Sequence, residues 1–110
     1  MTFDAFEKEM NRGFLQLLIL MVLETPLYGY MIIKAVAGEG YEVEENSLYP
    51  LLRRLESKGF LESRWEIEDN KPRKYYVISQ PGRRLRARLM EIWELQHRVI
   101  AKFKRGTGDG

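Results

Sequence analysis

The chain has 110 residues, 45% of them hydrophobic and 31% charged, with no cysteine and a formal net charge of +2. That length suggests one domain with a modest core, and the composition excludes a disordered chain, a disulfide scaffold and a thiolate metal site, while fitting a reducing cytoplasm. The apolar stretch Phe14 to Leu23 is interrupted by Gln16 and falls short of the ~18 residues of a membrane helix, and the acids among residues 1–10 argue against a signal peptide.

Phe6, Met10, Phe14, Leu17 and Met21 recur at steps of four, four, three and four, a single helical stripe. Leu15, Leu18, Ile19 and Val22 widen it nearly all the way round. A helix apolar on most sides must be buried on most sides, which in so short a chain points to a partner subunit. Thr25-Pro26 ends this helix, because the residue before a proline is pushed out of the α region. Tyr28-Gly29-Tyr30 opens a short second helix carrying Met31, Ile32, Ile33 and Val36, closed by Gly38 and Gly40. An extended piece, Tyr41-Glu42-Val43, leads to a third helix in which Leu48, Leu51, Leu52 and Leu55 share one side and Gly59 is the stop.

The period then changes. Leu61, Ser63, Trp65 and Ile67 alternate with Glu62, Arg64 and Glu66, a strand with one dry face on which Trp65 is expected in the core. Residues 68–72, EDNKP, are turn material. Arg73 to Ile78 form a second strand that pairs with the first as a hairpin, with Tyr75 and Tyr76 on opposite faces. Ser79 caps a last helix, with Pro81 in its first turn where the missing N–H costs nothing. Along it Leu85, Leu89, Ile92, Gln96, Val99 and Phe103 follow at alternating steps of four and three, flanked by Trp93 and Ile100, in the manner of a pairing helix. Residues 106–110 are expected to be a disordered tail. The resulting order predicts an α+β, mainly α fold: a winged helix-turn-helix at 27–80 between dimerisation helices at 1–24 and 80–105.

The third helix has a second face. Asn46, Tyr49, Pro50, Arg53 and Ser57 lie opposite the leucines, and Arg54 flanks them. Pro50 is tolerable there because it points outward and lies early; it costs one hydrogen bond if the helix starts at residue 44 or 45. Arg53 suits a guanine edge or a phosphate, Asn46 and Ser47 are short donors near a helix N-terminus, and Tyr49 offers a flat ring with a hydroxyl. From Lys71 to Arg105 eleven lysines and arginines face only Glu91 and Glu94, a net +9. Such asymmetry points to a polyanionic partner. Lys71, Arg73 and Lys74 form a basic finger at the hairpin, where a wing touches DNA backbone.

The segments LYGYMIIKAV (27–36), SLYPLLRRLESKGFLESRW (47–65), PRKYYVIS (72–79) and PGRR (81–84) resemble the PadR family of bacterial transcriptional regulators, over nearly the whole chain from Asn11 to Phe103. The resemblance implies a homodimer on a palindromic DNA operator, with the third helix in the major groove and the wing on the flanking backbone. It implies a repressor that releases DNA when an effector binds, and DNA contacts from Ser47, Tyr49, Arg53, Lys71, Arg73 and Lys74. A single helix after the wing looks like the family's short form, in which some members hold flat aromatic molecules between subunits on a tryptophan of the last helix. Trp93 falls at the matching place, with Phe14, Leu18, Met90 and His97 as the other candidate walls. Large aromatics on apolar seams are usually packing, which favours Trp93 as dimer core over ligand platform.

His97 is the single histidine, and with no cysteine no metal or cofactor site is expected. No nucleophile triad or paired-carboxylate arrangement is legible, so no enzyme is expected. Two rivals to a DNA-binding regulator remain: a sensor dominated by a drug or pigment at the dimer interface, and a winged-helix module that docks a protein instead of DNA.

Overall fold

The structure, a computed structural model, describes residues 2–106. The elements run α1 (Asp4–Val22), β1 (Leu27–Tyr28), α2 (Gly29–Ala37), α3 (Glu45–Ser57), β2 (Leu61–Glu68), β3 (Lys71–Ile78) and α4 (Gln80–Gly106). The sheet is antiparallel in the order β1-β3-β2. β1 went unseen in the sequence because Tyr28 reads there as the start of a helix. It is two residues long and exists only as the partner of Tyr75 and Tyr76 in β3. Of the expected tail, Gly106 still closes α4, and 107–110 lie outside the described residues.

The core is built where α1, α2, α3 and the root of the sheet meet. Leu15, Ile19, Leu20 and Leu23 pack with Ile32, with Leu48, Leu51, Leu52 and Leu55, and with Leu61, Tyr76 and Ile78. All four leucines of α3 are buried, so the wheel drawn from their spacing describes the helix as it packs. A backbone bond from Ile78 N–H to the Leu23 carbonyl, 2.9 Å, ties the end of β3 to the end of α1.

The joint between the hairpin and α4 is closed by one side chain. Ser79 Oγ accepts the Gly82 N–H at 3.1 Å, a helix cap, and donates to the Gly59 carbonyl at 2.6 Å. Gly82 must be glycine, because a Cβ there would collide with the Phe60 carbonyl. At the far end of the hairpin Asp69 and Asn70 take φ values of 51° and 62°. Left-handed geometry at both central residues is what a type I′ turn requires, and Asp and Asn tolerate it better than most residues.

The terminal helices lie together, and Glu24 fastens them with bonds to Arg83 at 2.7 Å and Arg86 at 2.6 Å. Those two guanidiniums, Arg86 first, hold the Glu24 carboxyl below its usual value. Leu85 and Leu89 of α4 pack on the core. Beyond them α4 continues with Leu95, Val99, Ile100 and Phe103 exposed. On α1, Leu17 is buried, whereas Phe6, Met10, Phe14 and Met21 of the same stripe are exposed, Phe6 at 73% and Met10 at 83%. The apolar girdle read from α1 is thus split: one side faces this chain's core, and the other faces outward.

Trp65 departs from expectation. β2 is buried at Leu61 (2% exposed), but Trp65 is 66% and Ile67 78% exposed. The alternation is real, yet the strand runs out past α3, so its dry face loses its cover after Ser63.

Candidate nucleic-acid interface

α3 carries the first half of the site. It begins at Glu45, with Glu44 as its N-cap residue, so Pro50 is interior and the bond it would have donated to the Asn46 carbonyl is missing. Asn46 and Pro50 are both exposed, so water can reach that carbonyl. Asn46, Ser47, Arg53 and Arg54 all lie on the exposed surface of the helix. Among the described residues neither Arg53 nor Arg54 has an ion-pair partner. Tyr49 is different. It is half-buried and packs on Gly29, where any Cβ would collide with its ring. Desolvation raises the Tyr49 hydroxyl above its ordinary pKa. Tyr49 therefore couples α3 to the first turn of α2.

The hairpin carries the second half, and strand alternation divides its basic residues. Lys74 sits opposite Trp65 and Pro72 opposite Ile67, on the face that continues Leu61 and Ser63. Arg73 sits opposite Glu66 and Lys71 opposite Glu68, on the other face. The basic finger of the sequence is therefore two-sided. On the inner face, turned to α3, Lys74 Nζ donates to Glu56 at 3.1 Å and lies 5.3 Å from the Tyr76 ring. Ser63 Oγ donates to the other oxygen of the same carboxylate. Glu56 thus clasps both strands of the wing to α3. The Ser63 hydroxyl first, and Lys74 after it, hold the Glu56 carboxyl below its usual pKa, and the hydrogen bond to Glu56 raises that of Lys74. Spacing along the chain could not reveal this clasp, because its three residues lie on three elements.

The outer face is aromatic and mixed in charge. The Arg73 guanidinium lies 4.5 Å from the Tyr28 ring and 3.6 Å from Glu68. Tyr28 meets Tyr75 edge-on at 5.3 Å. The Tyr75 hydroxyl donates to Glu68 at 2.7 Å, which pushes its pKa up to about 12. Arg64 pairs with Glu66 at 2.6 Å. Lys71 has no ion-pair partner among the described residues.

Between the start of α2, α3 and the wing lies a cleft of about 360 Å³ bounded by Tyr28, Tyr30, Tyr49, Trp65, Arg73 and Lys74. It brings together all the segments that carry the family resemblance except PGRR. A model of the PadR-like transcriptional regulator family matches residues 18–88, which include the whole helix-turn-helix and wing. The chain belongs to the PadR-like family. A transcriptional regulator of Mycobacterium tuberculosis, Rv3488, is 30% identical over 94% of this chain and 98% of its own length. The crystal structure of a PadR family transcriptional regulator from Eggerthella lenta superposes with a TM-score of 0.77 at 37% identity, covering 97% of this chain and 93% of that one. A transcriptional regulator from Clostridium thermocellum does so at 0.81 and 35% identity, over 86% and 97%. The family and these neighbours are regulators of transcription and not enzymes. Among the described residues no side-chain group is arranged to hold a metal, and no helix is long and apolar enough to cross a membrane.

The second candidate site lies between the terminal helices. A cavity of about 590 Å³ is bounded by Met10, Phe14, Leu17, Ile92, Trp93 and His97, among others. Trp93 stacks on His97 at 5.3 Å between ring centres, with the planes 11° apart. Phe14, Trp93 and His97 line this cavity together, while Leu18 and Met90 do not.

Proposed function

We propose that the chain is a sequence-specific DNA-binding repressor that acts as a homodimer on a palindromic operator. One observation carries the reading: α3 buries its four leucines and leaves Asn46, Ser47, Arg53 and Arg54 on its free side, beside a wing clasped to it by Glu56. In that role Arg53 and Asn46 address base edges, Ser47 and Arg54 the phosphates at the groove edge, and Lys71 and Arg73 the backbone beyond it. Lys74 orients the wing through Glu56, and Tyr49 walls the cleft between the two. The exposed apolar sides of α1 and α4 support the dimer. Phe6, Met10 and Phe14 on one helix and Val99, Ile100 and Phe103 on the other are all exposed, and exposed large apolar side chains in such number mark an interface. Two copies joined there present a pair of α3 helices, and inverted half-sites are the DNA that matches a two-fold pair. The domain division follows: 27–80 for DNA, 1–24 and 80–105 for the partner subunit.

A second reading is favoured by the cavity at Phe14, Trp93 and His97. Its stacked rings suit a planar aromatic effector, and its position in the proposed dimer seam would let such a molecule change the spacing of the α3 helices. Titration of the chain with duplexes from its own upstream region tests the first reading, since a protein-docking module shows no sequence preference there. Trp93 emission against a panel of planar aromatics tests the second; unchanged emission removes it.

A further inference from the structure

Two cavities of this fold share a wall. The first, between the terminal helices, is the one at Phe14, Trp93 and His97. The second, of about 390 Å³, opens between α1 and the start of α3 and is bounded by Tyr41, Val43, Asn46, Ser47 and Pro50, among others. Asn11 lines both. The Tyr41 hydroxyl donates to Asn11 Oδ1 at 3.0 Å, and the Tyr41 ring meets Phe14 edge-on, 5.1 Å between centres with the planes 70° apart. The two α1 residues that hold Tyr41 in these contacts are therefore both walls of the first cavity, which Tyr41 itself does not line. Desolvation raises the Tyr41 hydroxyl above its ordinary pKa, so it remains a donor at neutral pH.

The backbone fixes Tyr41 at its other end. The Gly40 N–H bonds to the Ala37 carbonyl at 2.9 Å, and the Tyr41 N–H bonds to the Val36 carbonyl at 3.0 Å. With Gly40 at a φ of 89°, this is the Schellman ending of α2. Glu42 and Val43 then lead to Glu44, whose carbonyl accepts the N–H groups of Ser47 and Leu48, both at 3.0 Å, as α3 begins. Three residues of chain reach about 10 Å when extended, which leaves little slack between Tyr41 and the first turn of α3. Tyr41 thus joins α1, the end of α2 and the entry to α3.

A flat guest stacked beside Trp93 and His97 competes for the space that Asn11 and Phe14 face. Phe14 is exposed, so its ring has room to turn outward. A turn of either side chain removes part of what seats Tyr41. We propose that Tyr41 is the positioning residue that couples the cavity at Trp93 to the entry of α3. The inference rests on the effector reading of that cavity and adds the path by which a guest reaches the DNA-reading helix. Tyr41 seated on Asn11 and Phe14 is the arrangement assigned to DNA binding; a guest unseats it, and segment 42–44 carries the change to Asn46 and Ser47. Whatever factor the guest takes from DNA affinity, DNA takes from the guest's.

The test uses the full chain in a Trp65→Phe background, where Trp93 is the remaining tryptophan, and a duplex that this chain enriches from a random-sequence pool. The probe is 1-anilinonaphthalene-8-sulfonate, an aromatic anion whose charge keeps it off DNA. Its affinity is read from the loss of Trp93 emission, first without the duplex and then with the duplex at saturation. The parent binds the probe at least roughly five-fold more weakly on the duplex. Tyr41→Phe keeps the ring against Phe14 and loses the bond to Asn11. It binds the probe alone and the duplex alone as the parent does, with the parent's helical circular dichroism, yet its coupling ratio falls to less than half the parent's. Tyr75→Phe, which loses a hydroxyl bond to Glu68 on the wing instead, keeps the parent ratio.

If Tyr41→Phe keeps the parent ratio, or Tyr75→Phe loses it equally, the role of Tyr41 is overturned while the effector reading stands. If the parent binds the probe equally with and without the duplex, the cavity takes a guest without coupling, and the role of Tyr41 is overturned. If the probe leaves Trp93 emission unchanged, or the pool yields no enriched duplex, the effector reading and the inference fall together.

Discussion

In α3 the row Leu48, Leu51, Leu52 and Leu55 is buried along its whole length, whereas in β2 the row Leu61, Ser63, Trp65 and Ile67 is buried only at its first residue. The two rows are equally regular in the sequence. What separates them is cover: α1, α2 and the sheet root close over α3, whereas among the described residues no apolar layer closes over Trp65 and Ile67. A regular apolar period tells which residues share a face, and only the tertiary arrangement tells what lies against it. The stripe of α1 repeats the lesson. Leu17 is covered by this chain and Met10 is not, and a second subunit is the cover we assign to Met10.

The contrast can be broken from its buried side first. Leu52→Ala, at a position with no exposure, should cost about 2–5 kcal/mol in a urea titration, while Ile67→Ser should stay within about 0.5 kcal/mol of the parent. Equal losses at the two sites would mean that the wing's apolar row is covered after all. The outer faces of the terminal helices come next. Glutamates placed at Ile100 and Phe103 together should weaken self-association by on the order of 2 kcal/mol or more, read by sedimentation, with little effect on the fold of a chain in which both residues are exposed. A dimer of undiminished strength would move the interface elsewhere. On α3 itself, Arg53→Ala should weaken operator binding by ~1–3 kcal/mol and relax preference at one base position.

The smallest effect concerns the clasp. Glu56→Gln keeps an acceptor for Ser63 but removes the charge that holds Lys74, and for a half-buried pair that solvent still reaches the stability lost should be under about 1 kcal/mol. The same bond gives a pH dependence. Because the folded Glu56 pKa is depressed, its contribution is present above the unfolded value of about 4.5 and is lost as pH falls through the folded one. The raised Lys74 pKa keeps its share at every pH below the unfolded 10.5, fading only as pH rises through the folded value. The wing should therefore stay clasped across the neutral range and loosen in acid, seen as a change in Trp65 emission that Glu56→Gln abolishes.

Much of the architecture was legible because local signals agreed with the fold. The leucines of α3, the Ser79 cap with Pro81 behind it, and the turn around Asp69 and Asn70 each require their structure whatever surrounds them. β1 was hidden because two residues carry no period, and their pairing with Tyr75 and Tyr76 depends on a strand nearly fifty positions away. The exposed side of α3 was readable from its wheel, including Asn46 and Arg53. The differing roles of Arg73 and Lys74 were not, since adjacent residues of a strand point apart and their partners, Tyr28 and Glu56, come from elsewhere in the chain. Tyr49 was read as outward, and it is half so: the helix turns its ring toward Gly29, whose missing Cβ makes the room.

Selection of duplexes by the parent chain from a random pool, with the size of the bound species measured by sedimentation, bears most directly on the central claim. The expected survivors are inverted repeats whose half-site centres lie one helical turn apart, about 10–10.5 base pairs, each bound by two chains. Unrelated survivors, or a single half-site held by one chain, would contradict it.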